Sequence, residues 1–248
     1  MTLQEFFAEN PRAAIAFSGG VDSSYLLYAA VQCGADVHAY FAKTAFQPQF
    51  ELDDAQRLAR DIHAPMTVLR ADVLRDETVT ANPANRCYYC KKVVFSSIAQ
   101  AALADGYTVL LDGTNASDDA GNRPGMRALQ ELQVLSPLRL CGLTKPEIRR
   151  LSKEARLFTW DKPAYACLAT RIPTGEKITA EKLSATESAE GELFAMGFTD
   201  FRVRWYAGAA RLQFPAVQLP RVLERREEIL TKLKKYYPAV LLDLEVRG

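Results

Sequence analysis

The stretch Ala14-Ile15-Ala16-Phe17-Ser18-Gly19-Gly20-Val21-Asp22-Ser23-Ser24 leaves this chain few folds to choose from. Its apolar start predicts a short buried strand. The strand breaks at Ser18-Gly19-Gly20, and a helix restarts near Asp22 with apolar Tyr25, Leu26, Leu27 and Tyr28. A strand, a glycine turn and a helix N-terminus in that order make a cradle for phosphate. The glycines let the backbone approach an anion, and the first-turn amides point at it with the helix dipole behind them. Ser18 and Ser23 add hydroxyl donors, and Asp22 suits a magnesium ion or a water beside the phosphates. The plainer reading is a tight αβ connection with Asp22 as a helix cap.

The loop is neither G-x-x-x-x-G-K-S/T nor G-x-G-x-x-G. As S-G-G-V-D-S it resembles the pyrophosphate loop of the N-type ATP pyrophosphatases, which split ATP into AMP and pyrophosphate. That group includes GMP synthetase, asparagine synthetase and the tRNA thiolases. The resemblance implies ATP and Mg2+ as ligands of Ser18, Gly19, Gly20, Asp22 and Ser23, with Asp22 catalytic.

Downstream, Val37–Phe41 reads as a second strand, Glu51–His63 as a helix, Met66–Leu69 as a third strand, and Leu110–Asp112 as the end of a fourth. Strands alternating with helices predict an α/β fold, a parallel sheet covered on both faces. Ligands of such sheets sit at the carboxyl ends of the strands, near the switch in strand order. Ala42–Ala45 and Gly113-Thr114-Asn115 are therefore expected to border the nucleoside. Thr144-Lys145-Pro146-Glu147 is a capping box that opens a helix to about Arg156.

With 31 Lys plus Arg against 30 Asp plus Glu, no global basic field attracts nucleic acid, so a small metabolite is the expected partner. No run is long enough to span a membrane, and the first ten residues read as an acidic amphipathic helix rather than a signal peptide. A cytoplasmic setting follows, in which the five cysteines stay reduced. His38 and His63 lack partners at ligand spacing and read as structural or surface residues, which leaves no histidine general base.

Asp76–Arg86 reads as a long functional loop leading into Cys87-Tyr88-Tyr89-Cys90-Lys91-Lys92 and a helix to about Ala104. Two cysteines three apart at a helix start can share zinc, a redox disulfide or an iron–sulfur cluster, and the spacing alone does not choose. Cys167 lies in the proline-containing loop Trp160–Pro173 with Arg171 four residues on, a setting that suits a reactive thiol. Cys33 and Cys141 read as structural.

Beyond Gly175 the pattern changes to a helix over Ala180–Met196, strands over Phe201–Trp205 and Ala210–Phe214, a helix over Gln218–Lys235 and a strand over Val240–Val246. The chain therefore divides into residues 1–174 and a small α+β appendage, 175–248. Arg202 and Arg204 share one face of their strand, either solvated or clamping a phosphate or carboxylate.

Together these motifs resemble the LarE sulfur transferases of nickel-pincer nucleotide biosynthesis. The matching stretches are Ser18–Ser23, Cys87–Lys92, Asp112–Asn115, Asn122-Arg123-Pro124-Gly125, Leu143–Lys145, Trp160–Ala164, Ala166–Arg171 and Gly197-Phe198 leading into Arg202-Val203-Arg204. The resemblance implies a PP-loop ATP pyrophosphatase domain with a small C-terminal domain, often assembled as a homo-hexamer. It also implies a pyridinium biscarboxylic acid mononucleotide as substrate, each carboxylate being adenylylated and then replaced by a thiocarboxylate. Gly113, Arg123, Arg171, Glu190, Arg202 and Arg204 fall among the implied ligand-binding residues, the last three near phosphate or metal.

The chemistry requires a sulfur nucleophile, which Cys167 or a group bound to it can supply. One branch of the family sacrifices the sulfur of a lone cysteine. The other holds a 4Fe–4S cluster on three cysteines and takes sulfide from an outside source. Cys87, Cys90 and Cys167 match the second branch, and sacrificial use of Cys167 stays open. A tRNA thiolase of the same superfamily and a non-enzymatic metal-binding module are the competing functions.

Overall fold

A computed structural model describes residues 1–118 and 124–247 of the chain, which form two compact units. Asn122 and Arg123 lie outside the described residues. The first unit comprises Met1–Val73 and Asn85–Ala164, the second Leu74–Ala84 and Tyr165–Gly248.

The first unit begins with α1 (Leu3–Glu9), β1 (Arg12–Ala16), α2 (Val21–Gln32), β2 (Asp36–Lys43), α3 (Gln49–Asp61) and β3 (Met66–Arg70). Leu74–Ala84 belongs to the second unit and carries the one-turn α4 (Glu77–Thr80). The first unit resumes with α5 (Arg86–Ala104), β4 (Leu110–Leu111), α6 (Pro124–Glu131), α7 (Pro137–Leu140) and α8 (Lys145–Glu154). Its sheet has four strands in the order β3-β2-β1-β4, all parallel, as the alternating pattern predicts. The order reverses between β1 and β4, the position at which a parallel sheet opens a ligand crevice.

Strand alternation explains why both faces are covered. Ala13, Ile15 and Phe17 pack on one side with Leu26, Leu27 and Leu58 of α2 and α3. Ala14, Tyr40 and Ala42 take the other side with Phe95 and Ile98 of α5 and Leu129 of α6. His38 donates to or accepts from Thr67 at 2.8 Å and stacks on Tyr40, the structural role expected of it.

The second unit continues with α9 (Ala180–Ala195), β5 (Arg202–Tyr206), β6 (Ala209–Gln213), α10 (Leu219–Glu224), α11 (Arg226–Leu233) and β7 (Val240–Leu242). β5 and β6 are antiparallel, joined at Ala207 and Gly208, whose φ values of 48° and 85° are those of a tight two-residue hairpin turn. β7 runs parallel to β6. Phe198, Phe201, Phe214, Leu233 and Tyr237 fill the core behind this sheet.

Four sequence-based expectations need correction. The helix predicted over Gln218–Lys235 breaks at Arg225, whose guanidinium donates at 2.7 Å to the Met196 carbonyl at the end of α9 and also pairs with Glu228. The last strand ends at Leu242 rather than Val246: the Asp243 amide still donates to the Leu212 carbonyl at 2.9 Å, but the Asp243 side chain accepts from Gln213 and from the Glu245 amide, which turns the chain there. The loop Asp76–Arg86 contains α4, capped by Asp76, which accepts from the amides of Thr78 and Val79 at 2.8 and 3.1 Å. Cys33 is exposed at the C-cap of α2, outside the core.

Candidate functional site

In the first unit the turn after β1 is closed by its own hydroxyls. The Ser18 amide donates to Ser23 Oγ at 3.3 Å, the two hydroxyls lie 3.0 Å apart, and Ser23 Oγ also reaches the Gly20 carbonyl at 3.3 Å. Gly19 takes φ +70°, and a Cβ there would lie 3.0 Å from Ala55 Cβ and 3.1 Å from the Glu51 carbonyl of α3. Gly20 is the N-cap of α2 and supplies no side-chain cap, so the first-turn amides are not tied up by a neighbouring hydroxyl or carboxylate at that position.

The loop after β4 presses directly on this turn. A Cβ on Gly113 would stand 2.8 Å from the Ser23 nitrogen, so only glycine allows the approach. Asp112 keeps the loop in shape by accepting from the Thr114 amide at 3.2 Å, from Ser136 Oγ at 2.6 Å, and from Thr114 Oγ1. Ser18, Gly19, Gly20, Asp22, Ser23 and Gly113 thus converge in one unit, at the switch in strand order.

Asp22, on the first turn of α2, is the charge centre of this cradle. Its Oδ2 is 2.5 Å from Lys145 Nζ, while its buried Oδ1 has no hydrogen-bond partner. Burial raises its carboxyl above the usual aspartate range, against the pull of Lys145. A second lysine, Lys162, is 2.7 Å from Asp54 and 3.3 Å from the Gly19 carbonyl. Arg149 of α8 fixes the turn that carries it, donating to the carbonyls of Trp160 and Lys162 at 2.7 and 2.8 Å.

Cys87 and Cys90 occupy the first turn of α5 in the same unit, and neither is in a disulfide. Arg86 donates to Cys87 Sγ at 3.7 Å. Lys91, the next residue, is half-buried. Burial lowers its pKa, opposed by the charges of Asp112, Cys87, Asp118 and Cys90.

The second unit holds Cys167, Arg171, Glu190, Arg202 and Arg204. Cys167 precedes a single 3-10 turn, Leu168–Arg171. Arg171 meets Glu190 with two prongs, Nε to Oε1 at 2.9 Å and Nη2 to Oε2 at 3.2 Å. Its remaining nitrogen, Nη1, donates to the Ala166 carbonyl at 2.6 Å and to Thr170 Oγ1 at 2.9 Å. Glu190 also accepts from the Val203 amide at 3.0 Å and from the Tyr165 hydroxyl. Burial and Glu190's charge push the Tyr165 phenol upward, so it stays a donor. Arg204 adds a bond to the Thr170 carbonyl at 2.9 Å. Arg202 lies over the Tyr165 ring at 5.2 Å, its pKa pushed down to about 10 by burial and the charges of Arg171 and Arg247. The loop bearing Cys167 is therefore held by two arginines, Arg171 and Arg204.

A pyridinium-3,5-bisthiocarboxylic acid mononucleotide synthase from Lactiplantibacillus plantarum is 30% identical over 246 residues, 98% of this chain and 89% of that one. The chain belongs to the LarE family of sulfur transferases. Two uncharacterized proteins are similar over 98% of the chain: one from Synechocystis at 39% identity, covering 92% of that protein, and one from Methanocaldococcus jannaschii at 31%, covering 93%. A tRNA-specific 2-thiouridylase MnmA from Fervidobacterium nodosum is 25% identical over 41% of this chain and 36% of its own length. No protein-family model matches the chain.

The four-stranded parallel sheet and its Ser18–Ser23 turn are accordingly those of a PP-loop ATP pyrophosphatase fold carried by a LarE-family enzyme. For a divalent cation, the unpartnered Asp22 Oδ1 provides a fitting hard oxygen donor. For an iron–sulfur cluster the donor chemistry fits too, since none of Cys87, Cys90 and Cys167 is in a disulfide. Among the described residues no group of three or more His, Cys, Asp or Glu side chains forms a metal-binding cluster. Cys87 and Cys90 belong to one unit and Cys167 to the other. No helix among them is long and apolar enough to cross a membrane.

Lys145 and Lys162, which the sequence offers only as parts of motifs, both reach the Ser18–Ser23 turn. Lys145 did carry a signal. A lysine on the first turn of a helix sits at the wrong end of the dipole, which asks for another use of its charge.

Proposed function

We propose that the protein is an ATP-dependent sulfur transferase acting on a pyridinium-3,5-biscarboxylic acid mononucleotide. A carboxylate oxygen of that substrate attacks the α-phosphorus of ATP and pyrophosphate leaves, giving an acyl adenylate. A sulfur nucleophile then attacks the acyl carbon and AMP leaves, giving a thiocarboxylate. The observation that carries the reading is Asp22, with one oxygen on Lys145 and the other unpartnered, inside the Ser18–Ser23 turn of a LarE-family chain.

In this account Ser18, Gly19, Gly20 and Ser23 receive the phosphates with main-chain and hydroxyl donors, and Asp22 holds Mg2+ beside them. Gly113 borders the nucleoside. Arg123, Arg202 and Arg204 bind anionic groups of nucleotide or substrate, with Glu190 and Arg171 in their support. Cys87, Cys90 and Cys167 hold a 4Fe–4S cluster, which supplies an open iron for sulfide from an outside source. Arg171, Glu190 and Arg204 orient the Cys167 loop. The enzyme works in the cytoplasm as a homo-oligomer, a hexamer by its resemblance. Neither nucleic acid nor membrane is a partner.

The test is anaerobic purification with iron and sulfide analysis of the wild type and Cys87→Ala, alongside pyrophosphate release from ATP. A cluster in the wild type that is lost in the variant, together with turnover, supports the reading. Zinc at these cysteines rejects the cluster. Conversion of Cys167 to dehydroalanine after one turnover selects sacrificial sulfur transfer instead. The partial similarity to MnmA keeps a tRNA thiolase in play, and co-purified tRNA with salt-sensitive RNA binding is its signature.

A further inference from the structure

Lys145 is the N1 residue of α8, and three bonds fix its backbone. The Thr144 amide and hydroxyl both donate to Glu147, at 2.8 and 2.5 Å, and the Lys145 amide donates to Ser117 Oγ at 2.9 Å. With its start pinned, the side chain delivers an ammonium to Asp22 Oδ2 at 2.5 Å. The other oxygen, Oδ1, is buried and unpartnered. A half-buried carboxylate with one oxygen on a lysine and one bare is a divided site. Its second lone-pair set suits a hard cation, and any cation there is repelled by the ammonium beside it.

We propose that Lys145 competes with a divalent cation for the Asp22 carboxylate and is a nucleotide-binding residue, passing to phosphate oxygens when the cation takes Asp22. This rests on the phosphate-site reading of the Ser18–Ser23 turn. The flexible four-carbon stem lets the charge move a few ångströms while the capping box stays in place. Lys162 is suited to a fixed role, since Asp54 and the Gly19 carbonyl hold its ammonium at the edge of the same turn. A movable and a fixed cation then flank the triphosphate.

The inference makes two predictions of opposite sign for Lys145→Met. Mn2+ alone, followed by electron paramagnetic resonance, should bind about tenfold more tightly than to wild type, because a neighbouring like charge has gone. The Mg2+ complex of α,β-methylene-ATP, followed by calorimetry, should bind about tenfold more weakly, because a phosphate partner has gone. Lys145→Arg should leave Mn2+ binding near the wild-type value, and adding Asp22→Asn to Lys145→Met should abolish the gained Mn2+ binding. A variant that weakens both ligands, or changes neither, overturns the inference. Wild type that fails to bind the nucleotide analogue at all overturns the phosphate-site reading itself.

Discussion

Arg171 and Glu190 form a two-pronged ion pair whose side chains are 0% and 2% exposed. The pair lies nineteen residues apart in sequence and joins α9 to the turn that follows Cys167. Such a pair is costly to bury and costlier to break, because a lone charge would be left in the core. Glu190→Gln should therefore destabilise the protein by about 3 kcal/mol or more in urea. It should also loosen the Cys167 loop, read as faster alkylation of Cys167 by iodoacetamide under native conditions. Unchanged alkylation would separate the pair from the loop.

Asp22 has the opposite balance. Burial raises its folded-state pKa above the ordinary 3.8, so the fold favours the protonated carboxyl and loses stability as pH rises through that raised value. Asp22→Asn removes this penalty. The variant should match wild type at pH 3 and be the more stable protein at pH 7, while pyrophosphate release disappears. A variant less stable than wild type at neutral pH would show that the Lys145 pair outweighs burial.

Gly113→Ala is expected to act on binding before stability. The added methyl would stand 2.8 Å from the Ser23 nitrogen, so the first turn of α2 must move. We expect a loss of ATP affinity of about tenfold or more, and a stability cost of about 1–3 kcal/mol, the usual scale of overpacking. Gly208→Ala is the control, because nothing lies within 4 Å of a Cβ there, although its φ of +85° carries a backbone cost.

Cys33→Ser and Cys141→Ser should leave iron content and turnover at wild-type levels. Both residues are helix C-caps, of α2 and α7, that bond through their backbone amides. Metal analysis of the purified variants checks this. Loss of iron in either would redraw the ligand set.

Local pattern made much of the first unit readable. Phosphate-turn glycines, strand alternation around Ala13–Phe17 and the Thr144–Glu147 capping box each act within a few residues, and each appears where its pattern predicts. What escaped depends on partners far away in sequence. Lys145 meets Asp22 across 123 residues, and Lys162 meets Gly19 across 143. The break at Arg225 depends on the Met196 carbonyl, which no helical periodicity contains. Glu190 did leave a trace, a carboxylate on the same helix face as Leu183, Thr186 and Leu193, where only a buried partner makes sense. The Asp76 cap carries a local signal too, masked by the polar run around it.

The central claim is that this chain activates a carboxylate with ATP and replaces its oxygen by sulfur. The most direct measurement incubates the anaerobically purified protein with Mg·ATP, sulfide and the pyridinium-3,5-biscarboxylic acid mononucleotide, and follows nucleotides and product by mass spectrometry. The account predicts AMP and pyrophosphate formed together with a thiocarboxylate, all three absent in Asp22→Asn. ADP and phosphate, or AMP formed without any sulfur entering the mononucleotide, would contradict it.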